Sequence, residues 1–280
     1  MKKLLLLLVI LLTMGTANAQ WAAVNTGLTN FTNFAVISLV TSDTNMFAGT
    51  DGDGIFRTTN NGSSWSAVNT GLTNLHVYSF SIIGSNIFAG TDDGVFLSTN
   101  SGSSWTAVNT GLQTISVFSL AISGSNIFAG TSSYGVFLST NNGTTWTQVN
   151  TGLTNFSISS LSISGNNIFA GTGGGVFLST NNGATWTEVN TGLTNLNVKS
   201  LVISGTNIFA GTYGGVFLST NNGSSWGAVN AGLTDLYLNS LFVSGTNIFA
   251  GTTFGGVFLS TNNGTAWTKV NVGLTTLNVY

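Results

Sequence analysis

The 280-residue chain has no cysteine. That excludes disulfides and thiolate metal sites, although an exported chain could have used disulfides. Charge is nearly as scarce, at 4% of residues against about 25% in an ordinary soluble domain. Solubility has to rest on Asn, Thr, Ser and Gly, and stability on burial and sheet hydrogen bonds. The five Lys and Arg residues form no cluster beyond Lys2 and Lys3. This excludes a nucleic-acid partner, whose affinity needs grouped basic side chains, and an anionic membrane surface, which needs a polybasic patch. Helical periodicity is missing over any useful length. No apolar run after the N-terminus is long enough to span a bilayer.

The one long apolar run opens the chain, "MKKLLLLLVILLTMGTANAQ". Two lysines, an apolar stretch and the small-x-small "ANA" at Ala17–Ala19 make residues 1–19 a secretory signal peptide. The mature chain is expected to start near Gln20, without membrane insertion, and to be secreted, periplasmic or at the cell surface. Arg57, Lys199 and Lys269 then face seven acids, for a net charge of −4.

The rest is repetition. Tryptophans fall at 21, 65, 105, 146, 186, 226 and 267, spaced by 40 to 44 residues. A fixed period of this size marks a repeat architecture. The unit "VKSLVISGTNIFAGTYGGVFLSTNNGSSWGAVNAGLTD" at 198–235 divides into four β-type segments: SLVIS, NIFAG, VFLST and WGAVN. Each is about five residues long, rich in apolar residues and bounded by Gly, Asn, Ser or Thr. Four strands per roughly 40 residues is the pattern of a β-propeller blade.

Six units are complete, and two fragments remain: WAAVN at 21–25, a lone fourth strand, and LNVY at 277–280, the approach to a first strand. The expectation is an all-β propeller of six complete four-stranded blades plus fragments of a seventh. It would be a single domain over 20–280 truncated at the C-terminus. The alternative is a closed six-bladed ring.

The turn between third and fourth strands recurs as Ser219…Asn221…Gly223…Trp226, with copies around Asn100 and Trp105, Asn141 and Trp146, Asn181 and Trp186, and Asn262 and Trp267. A looser copy, around Asn60 and Trp65, has Thr58 for Ser. These turns resemble the Asp-box, or BNR repeat, of sialidase-like propellers, with Asn replacing Asp in every copy. The resemblance implies a structural turn away from the active face, with Asn capping backbone N–H groups more weakly than a charged carboxylate would.

A hydrolase is the activity that resemblance raises. It implies an arginine cluster, a Tyr–Glu pair and an acidic Asp, yet the mature chain holds one arginine, Arg57, and one glutamate, Glu188. No catalytic residue is assigned. A propeller glycosidase with two carboxylates across a cleft, of the xyloglucanase type with similar boxes, remains the alternative through Asp51 or Asp53 with Asp92 or Asp93. "TDGDG" at 50–54 lacks the further ligands of a calcium loop, and His76 has no partner for zinc. No metal or cofactor is expected.

Variation between units concentrates in the loop from second to third strand and in the connection from one blade to the next. Alternating ends put both on one face, where a rigid scaffold carries binding residues. The candidate ligand-binding residues are Asp51, Asp53, Asp92, Asp93, Tyr134, Tyr213 and Phe254. The expected function is a non-catalytic module binding a glycan or protein through that face. A structural spacer within a longer surface protein is a further alternative.

Overall fold

The computed structural model describes residues 20–28, 35–42, 44–113 and 115–280. The expected signal peptide and most of the long first blade-to-blade connection lie outside these residues. The described residues form six four-stranded sheets and no helix. In each sheet the strands neighbour one another in chain order. The fold is all-β, with six propeller blades at residues 36–67, 77–107, 117–148, 158–188, 198–228 and 238–269.

Blade five shows why the sequence makes these elements. Its strands are Val198–Ser204, Asn207–Thr212, Gly215–Ser219 and Gly227–Ala228. The second strand, NIFAGT, is buried along nearly its whole length, because it is central and both its faces meet protein. Its Ala and Gly keep it thin enough for close packing. The fourth strand is two exposed residues, shorter than the five-residue WGAVN segment. A two-residue outer edge leaves little unpaired backbone for another chain to join. The first strand starts earlier than expected, at Val198, and carries a bulge between Val198 and Ser200. The same register shift occurs in blades one, two, three and six.

The chain packs as two compact units. One holds residues 23–150 and 156–158, hence blades one to three; the other holds 20–22, 151–155 and 159–280, hence blades four to six. Each unit is built the same way. In the second, Phe169 and Val176 of blade four join Ile208, Ala210, Phe217 and Trp226 of blade five in one core. In the first, Phe88 and Val95 of blade two join Ile127, Ala129, Phe137 and Trp146 of blade three. Each core thus spans two consecutive blades.

All seven tryptophans are buried. The Trp226 indole N–H donates to the Val189 carbonyl at 2.7 Å, and its backbone N–H to Thr191 at 2.8 Å. Both acceptors follow the outer strand of the preceding blade, so the ring is a staple as well as apolar bulk. Trp105 repeats this with Val68 and Thr70, and Trp146 with Val108 and Thr110.

The Asn-rich turn is held from within. Ser219 Oγ donates to Asn221 Oδ1 at 2.9 Å and accepts from the Gly223 N–H at 2.9 Å. Asn221 Oδ1 accepts the Ser225 N–H, and its Nδ2 donates to Ser225 Oγ, both at 2.9 Å. The amide therefore works at both ends, where a carboxylate could only accept. The residue after it, Asn222, sits at φ 55°, a left-handed conformation that Asn tolerates.

The two terminal fragments pack within the second unit, against blade six. Trp21 donates its backbone N–H to Val272 at 2.9 Å and its indole N–H to Val270. These are the places that Ala231 and Val229 take for Trp267. The Trp21 carbonyl lies over Gly273, at φ 90°, as that of Trp267 lies over Gly232. No strand forms over 21–25, but Trp21 occupies a fourth-strand tryptophan's place. At the other end Val279 covers Gly251 as Val198 covers Gly171, which is the first-strand place.

Candidate functional site

The two variable connections meet. The Gly54 N–H donates to Leu75 at 2.8 Å, Gly135 to Phe156 at 2.9 Å and Gly215 to Leu236 at 3.0 Å. In each case the loop after a second strand bonds to the connection leaving the same blade. The first-strand bulge adds a third contributor. Its extra residue is Tyr78, Phe118, Lys199 or Asn239 in blades two, three, five and six. A bulge breaks the alternation of a strand and re-aims a side chain. These positions vary in character from blade to blade, while the residue before each is aliphatic and the residue after each is Ser.

In the first unit this gathers acids and hydroxyls. Asp51 Oδ1 lies 2.8 Å from His76 Nδ1. Tyr78 donates to Asp92 Oδ1 at 2.9 Å, and Ser116 donates to the same oxygen at 2.6 Å. The Tyr78 ring meets Phe118 edge-on at 5.0 Å. Burial pushes the Tyr78 phenol up, and its bond to Asp92 and the charges of Asp92 and Asp51 push it further. Asp53 is different. Its Oδ2 is buried with no hydrogen-bond partner, and desolvation raises its carboxyl above the ordinary value. Asp93 contributes its backbone: its N–H bonds Thr91 Oγ1 and its carbonyl accepts from Asn109.

In the second unit the corresponding loops carry aromatic side chains. Tyr213 and Tyr237 have ring centroids 5.7 Å apart, and Tyr237 meets Phe254 at 6.2 Å. Lys199 Nζ sits 4.7 Å from the Tyr213 ring, within cation–π range. All three rings are open to solvent, from 38% for Tyr213 to 69% for Phe254. Asp235 fixes the loop beneath them: Oδ2 accepts the N–H groups of Phe254 and Gly255 at 2.7 and 2.9 Å, and Oδ1 accepts that of Tyr237 at 3.0 Å. Burial alone would raise this carboxyl. The bonds from Tyr237, Phe254, Thr252 and Gly255 outweigh it and hold the group below its ordinary value.

The structure thus brings Tyr213 and Phe254 together through Tyr237, a residue of the blade-to-blade connection that is not among the expected site residues. Tyr134 is exposed in the other unit, on a loop tied to the Phe156 carbonyl. Asp51 and Asp92 both act on Tyr78. Tyr78, Ser116, Lys199 and Asp235 were missed as site residues. The available signal was their position, one residue past each first strand's opening apolar residue or in the blade-to-blade connection. The box residues, Asn221 and Trp226 among them, are held in turn and core contacts. Glu188 lies on an exposed outer strand, and Arg57 donates to the Ser101 carbonyl.

Comparison with known proteins agrees with this fold. Residues 117–235 match the model of the DUF6242 beta propeller domain. No curated protein matches the chain. Among solved structures, an ancestral GH74 enzyme is 23% identical with a TM-score of 0.70, over 84% of this chain and 38% of its own. The extracellular domain of a protein described as a one-component system of B. thetaiotaomicron is 20% identical, with a TM-score of 0.72, over 85% of this chain and 33% of its own. YCF48 bound to D1 peptide is 16% identical, with a TM-score of 0.60, over 78% of this chain and 75% of its own. The chain therefore spans well under half the length of the first two. At these identities the likeness is one of fold: this is a β-propeller chain of repeated four-stranded blades.

Proposed function

We propose that this is a non-catalytic propeller module, exported to the periplasm, surface or medium, that binds a neutral glycan through its variable loops. The observation that carries this reading is the exposed cluster of Tyr213, Tyr237 and Phe254 on a loop anchored by Asp235. Exposed aromatics in contact are costly to leave in water and mark interaction sites. Tyrosine and phenylalanine offer flat apolar faces with little entropy to lose, and the hydroxyls add hydrogen bonds. A sugar ring has the matching surface, an apolar face of C–H groups rimmed by hydroxyls. The chain is also nearly free of charge, which suits an uncharged partner. Support from fold analogy comes from neighbours that are a GH74 enzyme and an extracellular domain. The turns that resemble the Asp-box act here as scaffold.

A second reading has one observation of its own. Asp53 is a desolvated carboxyl with an unpartnered oxygen, the environment that prepares a general acid. A glycoside hydrolase or its remnant would use it with Asp51 or Asp92. A glycan array probed with the intact protein separates the readings. Capture lost in the Phe254→Ala and Tyr237→Ala variants supports the module. Release of reducing sugar that disappears in Asp53→Asn supports the enzyme. Capture of protein but no glycan on parallel arrays would replace the glycan with a protein partner.

A further inference from the structure

The chain holds five Asn-Gly pairs, and all of them sit at one place in the repeat: Asn61, Asn142, Asn182, Asn222 and Asn263, each followed by the box glycine. Asn-Gly is the pair in which a side-chain amide cyclises most readily, because glycine has no Cβ to shield its own nitrogen. The glycine nitrogen attacks the Asn Cγ and gives up its proton. The side-chain nitrogen takes that proton and leaves as ammonia, closing a succinimide ring. Water then opens the ring to Asp or isoAsp. The net change is water in and ammonia out, and no other reactant is needed.

The turn exposes one half of this reaction and withholds the other. Each of the five asparagines is exposed, in the left-handed conformation at φ 54–56°, so the electrophilic Cγ is open to solvent. The nucleophile is not. Gly223 is buried, and its N–H donates to Ser219 Oγ at 2.9 Å. Gly143, Gly183 and Gly264 bond the equivalent serines at 2.8–2.9 Å, and Gly62 bonds Thr58 Oγ1 at 3.1 Å. Gly223 is also wedged against the preceding blade, where a Cβ on it would lie 3.1 Å from Val189 and 3.4 Å from Phe169. Its nitrogen can reach the Asn222 Cγ only if the turn opens. Opening breaks the bond to Ser219 and those of the Ser224 and Ser225 N–H groups to Asn221. In blade two Ser101 takes the asparagine's place at φ 54°, and a serine there has no amide to cyclise.

We infer that these five asparagines are latent modification sites, converted to isoAsp only when their turn opens, and that the box hydroxyl of Ser219 and its equivalents is the guard that keeps the turn closed. The hydroxyl then has a chemical task beside its structural one. It occupies the one nitrogen whose attack would add a negative charge and an extra backbone carbon to a tight turn.

The test incubates the intact protein in mildly alkaline buffer, followed by chymotryptic peptide mapping with mass spectrometry and an isoaspartate methyltransferase assay. Each native copy should deamidate at least about tenfold more slowly than the free peptide STNNGSSW, the sequence of residues 219–226, because local opening must come before attack. Ser219→Ala should speed the reaction at Asn222 by about tenfold, the worth of one buried hydrogen bond, and leave Asn142, Asn182 and Asn263 at their native rates. Ser219→Thr supplies the acceptor that Thr58 supplies in blade one, and should restore the slow rate. Three results overturn the inference: native copies that react as fast as the peptide, a Ser219→Ala protein that reacts no faster at Asn222, or a rise shared equally by every copy. The last would trace the effect to general unfolding. The comparison of native protein with free peptide needs no variant, so it decides the matter even where Ser219→Ala fails to fold.

Discussion

The Asp235 carboxylate accepts the Phe254 backbone N–H at 2.7 Å across 19 residues of chain. This bond joins the connection leaving blade five to the loop inside blade six. It sets the most exposed ring of the aromatic cluster in place. Preorganisation of this kind spares a binding surface the entropy of ordering its loop.

Asp235→Ala should therefore loosen residues 253–255 while leaving the blade core intact. Hydrogen exchange at the Phe254 and Gly255 amides is expected to speed up, with the Trp267 indole N–H unaffected. The same contact predicts a pH response. A carboxyl held below its ordinary value contributes stability that is present above that value and lost as pH falls through the lowered one. The two amide resonances should thus titrate together at a pH below 3.8, the ordinary Asp value.

Asp53 predicts the opposite sign. Its carboxyl is raised by desolvation, so ionising it costs the folded state more than the unfolded one. The deficit grows as pH rises from the ordinary value through the raised one. Asp53→Asn should raise the melting temperature at neutral pH, and the gain should vanish below the ordinary carboxylate range. Thermal scans across that range check both halves.

The staple and the turn predict different costs in one blade. Trp226→Ala removes a buried ring and leaves a cavity, so it should cost about 3–5 kcal/mol. Asn221→Ala removes the turn's central acceptor and should cost about 1 kcal/mol. Asn221→Asp should change stability by less than about 0.5 kcal/mol, because the Ser225 hydroxyl can turn to donate to a carboxylate. Denaturant unfolding of the three variants orders them.

What was legible in the sequence follows from what is local. The period, the four segments and the turn glycines each depend on a few neighbouring residues, and all appear in the structure. The burial of the tryptophans followed from their size and their fixed place in the repeat. The first-strand bulge was not legible, because the extra residue at Lys199 or Tyr78 shows only as variation, and pairing register depends on a partner strand. The contact of Tyr213, Tyr237 and Phe254 was hidden for a related reason. It joins two blades, and its distances are set by how their cores pack. Asp53 could be seen as an acid in a loop, but its missing partner is a fact of three-dimensional burial alone.

The central claim is that the aromatic cluster, and not the acidic one, meets the ligand. Aromatic carbon–proton NMR spectra of the intact protein, recorded while cellohexaose is added as the probe glycan, test it most directly. The resonances of Tyr213, Tyr237 and Phe254 should shift together and saturate, while those of Tyr78 and His76 stay still. Shifts confined to Tyr78 and His76, or none at any ring up to millimolar glycan, would contradict it.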